Sequence, residues 1–337
     1  MSAIRACLRP TQKLGKFELE QAYPGVSDKG WSGRQPMKTV DVQGAQIPAL
    51  GFGTAGLRSD VARRMVSYAL DIGYRHIDTA QSYGNEAEIG DAISVSSVPR
   101  QEIWLTTKVW RDRFRDGDLQ RSVEASVRKL RTEPDLLLLH WPNSKTPLHE
   151  TIGALNDVKR KGLTNHIGVS NFTVALIQQA LSLTKEPLVV NQVEYHPYLS
   201  QWTVLETLRA NDMAMIAYSP LAQGRVFRDM TLQSIGDGYG KNAGQVALRW
   251  LFQQDGVTAI PHSSREAHIE ANLEIFDFEL TGPEMARISA RAGPHGRLTD
   301  SLRYGPAWDD LGTVGMARRN VTGVVRAVIR RVRRLYR

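Results

Sequence analysis

A single cysteine in 337 residues, Cys7, excludes an internal disulfide framework. The chain must hold together by its core alone, and a reducing, cytoplasmic setting is expected. No apolar run approaches the roughly 18 residues of a membrane span. Met1 to Lys16 lacks the continuous apolar stretch of a secretory signal. Acids and lysines are both missing from residues 311–337, which carry eight arginines. That tail contributes +8 and residues 1–36 a further +3, so a net charge of +8 leaves residues 37–310 near −3. A body that is not basic argues against nucleic-acid binding.

What is present is concentrated between Gly73 and Gly90, in Gly73-Tyr-Arg-His-Ile-Asp78-Thr-Ala-Gln-Ser-Tyr83-Gly-Asn-Glu86-Ala-Glu-Ile-Gly90. An acid ends a short apolar strand, a tyrosine follows five residues later, and Asn85-Glu86 open a helix. The layout can hold an ionised carboxylate close to a phenol. A phenol near its ordinary pKa of roughly 10 is a poor proton donor at neutral pH without a positive neighbour. Lys108, at the end of Ile103-Trp-Leu-Thr-Thr107, is a candidate for that neighbour, and His140 ends Asp135-Leu-Leu-Leu-Leu139. Four acid–base candidates thus come from the ends of three successive strands.

Residues 1–36 are rich in glycine, proline and charge with weak periodicity, which predicts a disordered arm. Met37–Pro48 predicts a hairpin turning at Gln43-Gly44, and Met37 is a second candidate for the chain start. Beyond Pro48, strands are predicted at 49–53, 76–78, 103–107, 136–139, 166–168, 189–193, 215–217 and 258–260. Helical periodicity fills the intervals, as at Asp60–Asp71 and Leu119–Leu130. Eight short strands, each followed by helical sequence, predict an α/β fold of the (β/α)8 TIM barrel type, whose catalytic face lies at the carboxyl ends of the strands. Asp78, Lys108, His140, Asn171, Gln192, Tyr218 and Ser263 all fall there. The competing reading is a doubly wound dinucleotide fold. Gly51-Phe-Gly53-Thr-Ala-Gly56 matches G-x-G-x-x-G, with Asp78 about 20 residues on. Against it, Ser59-Asp60 reads as the helix cap, and a ribose-binding acid needs no following tyrosine.

With these motifs in hand, the chain resembles the aldo-keto reductases from about Met37 to Asp310. The resemblance is carried by Gly73–Gly90, Leu137-Leu-Leu-His140-Trp-Pro142, Ile167-Gly-Val-Ser170-Asn171-Phe172, Asn191-Gln192-Val-Glu-Tyr-His-Pro197 and Ile260-Pro-His-Ser263. Gly296-Arg-Leu through Pro306-Ala-Trp-Asp309 looks most like the small bacterial branch that includes 2,5-diketogluconate and methylglyoxal reductases. The resemblance implies hydride transfer from NADPH, with NADH a second candidate, to an aldehyde or ketone. Tyr83 would act as general acid, Lys108 held by Asp78 would lower its pKa, and His140 would orient the carbonyl. Ser170, Asn171 and Gln192 would bind the nicotinamide carboxamide and Tyr218 would stack on the ring. Thr54, Ser219, Leu221, His262, Ser263, Arg265, His268 and Asn272 are further cofactor-binding positions it implies. Trp110 and Trp141, with His140, are candidate substrate contacts. Singly, an Asp–Lys pair, a strand-end histidine and a loop tyrosine each have ordinary structural readings; together with Asn171 and Gln192 they point to catalysis.

One departure bears on the cofactor. NADPH-using members commonly carry Pro-Lys-Ser and then an arginine about five residues later. Here Pro261-His262-Ser263-Ser-Arg265-Glu-Ala-His268 has histidine at both basic positions. Histidine is mostly neutral at pH 7 and lacks the arginine fork, so Arg265 is the one permanent cation expected and NADPH preference should be weak. Ala55 stands where many relatives place an aromatic, which suggests a more open pocket.

The tail alternates Val321, Val324, Val325, Val328, Ile329, Val332, Leu335 and Tyr336 with Arg326, Arg330, Arg331, Arg333, Arg334 and Arg337. This predicts a basic amphipathic helix, suited to an anionic membrane surface or an acidic partner, or packed on the barrel exterior. A monomer acting on a small carbonyl is expected, with no metal. The alternatives are a metal-dependent hydrolase using His76, Asp78, His140 and His196, and a non-catalytic nucleotide sensor.

Overall fold

The structure is a computed structural model and describes residues 38–293, 296–299 and 305–309. The expected arm and the expected tail helix lie outside these residues. Strands β1 (Thr39–Val42) and β2 (Ala45–Pro48) pair antiparallel in the predicted hairpin. Gln43 and Gly44 take φ of 44° and 80°, the left-handed pair that a two-residue turn matched to strand twist requires. The Gln43 amide then donates to the carbonyls of Leu188 and Asp212, fastening the turn near the start of two later strands.

Eight parallel strands follow: β3 (Phe52–Gly53), β4 (His76–Asp78), β5 (Trp104–Val109), β6 (Leu136–Leu139), β7 (His166–Ser170), β8 (Leu188–Glu194), β9 (Ala214–Tyr218) and β10 (Val257–Ala259). They form one sheet in sequence order. At its margins Leu50 bridges Ala259 in parallel, and the Gly51 and Gly53 N–H groups donate to Ala259 and Pro261 at 2.8 and 3.0 Å. The result is a TIM-barrel-like fold with a mostly closed sheet. All eight predicted strands are present, with limits shifted by a few residues.

Helices alternate with the strands: α1 (Ser59–Asp71), α2 (Glu86–Val95), α3 (Asp118–Leu130), α4 (Leu148–Arg160), α5 (Val174–Leu183), α6 (Trp202–Arg209), α7 (Met230–Asp237), α8 (Ala243–Phe252), α9 (Glu266–Ala271) and α10 (Gly282–Ser289). In α1 the buried residues Ala62, Met65, Val66, Ala69 and Leu70 repeat at three- and four-residue steps, one stripe facing the sheet. The strand period of two splits β6 cleanly. Leu137 and Leu139 join the core between sheet and helices, whereas Leu136 and Leu138 point inward with Val190, Ile216 and Ile260. Val42, Ala45 and Ile47 of the hairpin belong to that inner cluster and cover one end of it.

Ser59-Asp60 is not the cap that the sequence suggested. The N-cap is Arg58, without a side-chain bond, and Ser59 sits at φ 48°. Asp60 instead pairs with Arg63 at 3.0 Å in the first turn. Gly51 and Gly53 are explained by close approach rather than by a phosphate loop. A Cβ at Gly51 would come within 2.8 Å of the His76 ring, and one at Gly53 within 2.8 Å of the Ile260 carbonyl. Among the described residues, no helix is long and apolar enough to cross a membrane.

Candidate active site

The polar residues between Asp78 and Glu86 each anchor the chain. Thr79 donates to the Asn85 side chain at 2.7 Å, and Asn85 donates to the Thr54 and Leu57 carbonyls at 3.0 Å each. Gln81 bonds the Ser122 carbonyl and the Ser126 hydroxyl of α3 and accepts from the Trp110 N–H. Thr107 donates to Glu86 at 2.8 Å. These ties hold the short turn Gln81–Tyr83 over the end of β4 and aim its tyrosine inward.

Beneath that turn, Lys108 is fully buried. Its Nζ donates to Asp78 Oδ1 at 2.5 Å and to the Thr79 carbonyl at 2.9 Å, with the Tyr83 hydroxyl at 3.5 Å. The second carboxylate oxygen of Asp78 accepts from Gln192 Nε2 at 2.8 Å. Burial works against the Lys108 charge, but Asp78 outweighs it and holds the ammonium above its ordinary pKa. For Tyr83 the balance goes the other way from expectation. Burial raises the phenol, Lys108 pulls it down, Asp78 pushes it up again, and the net shift is upward. Burial is the largest cause, and the lysine cannot overcome it, its charge being matched by a carboxylate 1.0 Å closer to it than the phenol is. Tyr83 therefore carries its proton at neutral pH.

His140 leads out of β6. Its ring meets Tyr83 and Trp110 edge-on at 5.7 and 5.4 Å, and its Nδ1 lies 3.3 Å from the Ser82 hydroxyl. Burial first and the Lys108 charge second keep this imidazole well below its usual pKa, so it is neutral. Asn171, at φ 63°, uses a left-handed conformation that asparagine tolerates better than most residues. Its amide donates to the His140 carbonyl at 3.0 Å and its oxygen accepts from the Tyr218 hydroxyl at 2.8 Å. Ser170 donates to the Gln192 carbonyl at 2.8 Å.

These groups line one cavity of about 790 Å³. Asp78, Tyr83, His140, Trp141, Ser170, Asn171, Gln192, Tyr218, Ser219, Leu221, His262, Ser263, His268 and Asn272 all border it, so most of the expected residues converge. Four do not. Thr54 lies buried behind the wall with its hydroxyl on the Asp78 carbonyl, and Lys108 sits below the floor. Trp110 borders a neighbouring recess with Gln81, Ser82 and Arg113. Arg265 borders another, shared with His262, Ser263 and His268. That recess also contains Arg58, a cation the sequence gave no reason to bring there, so Arg265 is not alone. Phe227 and Thr299 also line the main cavity, without a recognisable local signal; they arrive from the segment after β9 and from beyond α10.

The ligands imagined for a metal site are dispersed. Among the described residues no three His, Cys, Asp or Glu side chains converge to hold an ion. His76 faces Thr106 and the Pro48 carbonyl at the opposite end of β4, and His196 is bonded to Glu194. What the cavity does assemble is a protonated phenol, a charged lysine behind it, a neutral imidazole beside it and a polar shelf from β7 and β8. That is the equipment of a nicotinamide-dependent oxidoreductase acting on carbonyl compounds.

Comparison with known proteins places the chain within that class. Residues 49–292 match the model of the aldo/keto reductase family, and the chain belongs to this family. It is 37% identical over 267 residues to the methylglyoxal reductase DkgB of Escherichia coli O157:H7, covering 78% of this chain and 99% of that protein. A solved structure given the name 2,5-diketo-D-gluconic acid reductase B is 48% identical with a TM-score of 0.78, over 81% of this chain and 98% of that one. A Bombyx mori aldo-keto reductase in complex with NADP is 30% identical with a TM-score of 0.74, over 80% and 97% of the two chains.

Proposed function

We propose that this protein reduces small activated aldehydes and ketones, of the methylglyoxal and diketo-sugar-acid kind, with NADPH as the reductant. The observation that carries the reading is the Tyr83 hydroxyl, 3.5 Å from a lysine locked against Asp78 and edge-on to His140. The cavity suits the cofactor. It offers amide and hydroxyl groups from Ser170, Asn171 and Gln192 and an aromatic face from Tyr218. Arg58 and Arg265 lie in the recess that continues past His268. When bound, the reduced nicotinamide supplies the hydride. Tyr83 gives its proton to the carbonyl oxygen as charge develops there, and Lys108 stabilises the phenolate left behind. A neutral His140 can donate one ring N–H to the same oxygen and orient it, while Asn171 fixes the backbone from which it projects. Trp141, nearly buried, and Phe227, about half exposed, supply apolar wall to the cavity.

NADH is proposed as a second cofactor, within about tenfold of NADPH, a difference of roughly 1.4 kcal/mol. Its basis is that burial holds His262 below its usual pKa, that His268 lacks the arginine fork, and that Arg58 and Arg265 are exposed, where water screens them. The domain reading is a fully closed barrel over residues 37–310, supported by the Leu50–Ala259 bridge. It is flanked by an arm over 1–36 and a basic amphipathic helix over 311–337 that touches anionic membrane or an acidic partner. A monomer in the cytoplasm is proposed, the latter on the single cysteine. A panel of aldehydes and ketones with each cofactor, read by loss of reduced-nicotinamide absorbance, tests the activity. No turnover of any small dicarbonyl would defeat it.

A further inference from the structure

Glu194, the last residue of β8, is fully buried and takes no part in the proton transfer described above. Its carboxyl group is nevertheless saturated. Oε1 accepts from the Leu298 N–H at 2.7 Å and meets His196 Nε2 at 3.0 Å, and Oε2 accepts from the Thr299 N–H at 2.8 Å. One carboxyl group thus grips two successive backbone N–H groups more than a hundred residues away in sequence, a strong and direction-specific contact. The gripped segment passes tightly over its support: a Cβ at Gly296 would lie 1.7 Å from the Tyr198 carbonyl oxygen. It also forms cavity wall. Thr299 borders the cavity, and the Arg297 guanidinium stacks 3.8 Å over Trp308, which meets the cavity residue Trp141 edge-on at 6.0 Å. Two residues earlier on the same strand, Gln192 holds Asp78. One face of β8 therefore supports the reacting groups and the far wall together.

We propose that Glu194 is a positioning residue whose carboxyl group clamps Arg297–Thr299 into the cavity wall and so sets the affinity for carbonyl substrates large enough to reach that wall. The inference rests on the reductase reading and adds to it the part of the molecule that measures substrate size. A glutamine at 194 keeps the volume but has one acceptor oxygen, and its NH2 group faces one of the two N–H donors.

The test compares methylglyoxal with phenylglyoxal as small and large probes, in the full chain and in Glu194→Gln, Thr299→Gly and the double variant. For phenylglyoxal, KM should rise about tenfold in each single variant, the scale of losing one apolar contact, with kcat within about twofold. In Glu194→Gln, methylglyoxal kinetics and the NADPH Kd should stay within about twofold, and for phenylglyoxal the double variant should be no worse than Glu194→Gln, because both changes act on one wall. Amide exchange at Leu298 and Thr299 should accelerate in Glu194→Gln. Should that variant fail to fold, Glu194→Asp, which keeps the charge and withdraws it by one methylene, decides: a selective phenylglyoxal effect supports the clamped wall, and unchanged kinetics overturn it. An inactive parent protein would overturn this inference and the reductase reading together. An active parent whose Glu194 variants lose both probes equally, or neither, would overturn the inference alone.

Discussion

Replacing Tyr83 by phenylalanine separates chemistry from architecture in this site. The substitution deletes one hydroxyl and leaves the ring that packs edge-on against His140. Lys108 keeps its bonds to Asp78 and Thr79, at 2.5 and 2.9 Å, and loses only a contact at the 3.5 Å limit of hydrogen bonding. Folding stability should therefore fall by less than about 1 kcal/mol, the scale of one modest hydrogen bond. The barrier to reduction should rise far more. General-acid catalysis contributes about 10²–10⁴-fold, or roughly 3–5 kcal/mol. Three measurements make the comparison: urea unfolding, NADPH binding by quenching of tryptophan fluorescence, and steady-state reduction of methylglyoxal. The expected outcome is a native-like unfolding curve, unchanged cofactor affinity and a rate reduced at least a hundredfold. A variant that retains more than about a tenth of the parent rate would refute the assignment of Tyr83, since water does not replace a general acid that well.

Other consequences are open to measurement. His268→Arg, at the junction of the cavity and the Arg58–Arg265 recess, should tighten NADPH about three- to tenfold, less than a buried charge-assisted bond because the site is exposed, and leave NADH unchanged; equal effects on both would show that His268 does not face the 2′-phosphate. Burial holds His76 down to about 4, against roughly 6.5 in the unfolded chain. Between those values the unfolded chain binds a proton that the folded one does not. Stability should therefore fall by about 3 kcal/mol as pH drops through that window, and be unaffected by His76 above it. His76→Asn should flatten this stretch of a stability–pH curve, and parallel curves for the two proteins would sink the argument. Deleting residues 311–337 should leave aldehyde reduction unchanged and abolish low-salt sedimentation with anionic vesicles, which high salt should also prevent in the full chain. Binding that survives truncation would reject the membrane reading of the tail.

The sequence by itself determined the barrel-like fold and most of the residues that gather at one cavity. Eight strands were legible because apolar residues recur with period two inside them and with helical spacing between them, as in Leu136–Leu139 and Ala62–Leu70. Asp78, Tyr83, Lys108 and His140 were legible because a barrel turns the ends of successive strands toward one cavity, so position along the chain implies proximity. The sequence could not reveal the sign of the Tyr83 shift. That depends first on how deeply the fold buries the phenol, and then on how far Asp78 has already matched the Lys108 charge. The helix cap was misread at Ser59 because capping is a matter of backbone angle, not of residue type alone. Tertiary structure alone decided the rest. Arg58 reached the recess beside Arg265 because the chain ahead of β3 meets β10, where Leu50 bridges Ala259. Glu194 met Leu298 and Thr299 because a buried carboxyl group takes whatever donors the fold brings within reach. Contacts of that kind join residues more than a hundred positions apart, where periodicity and local motif carry no information.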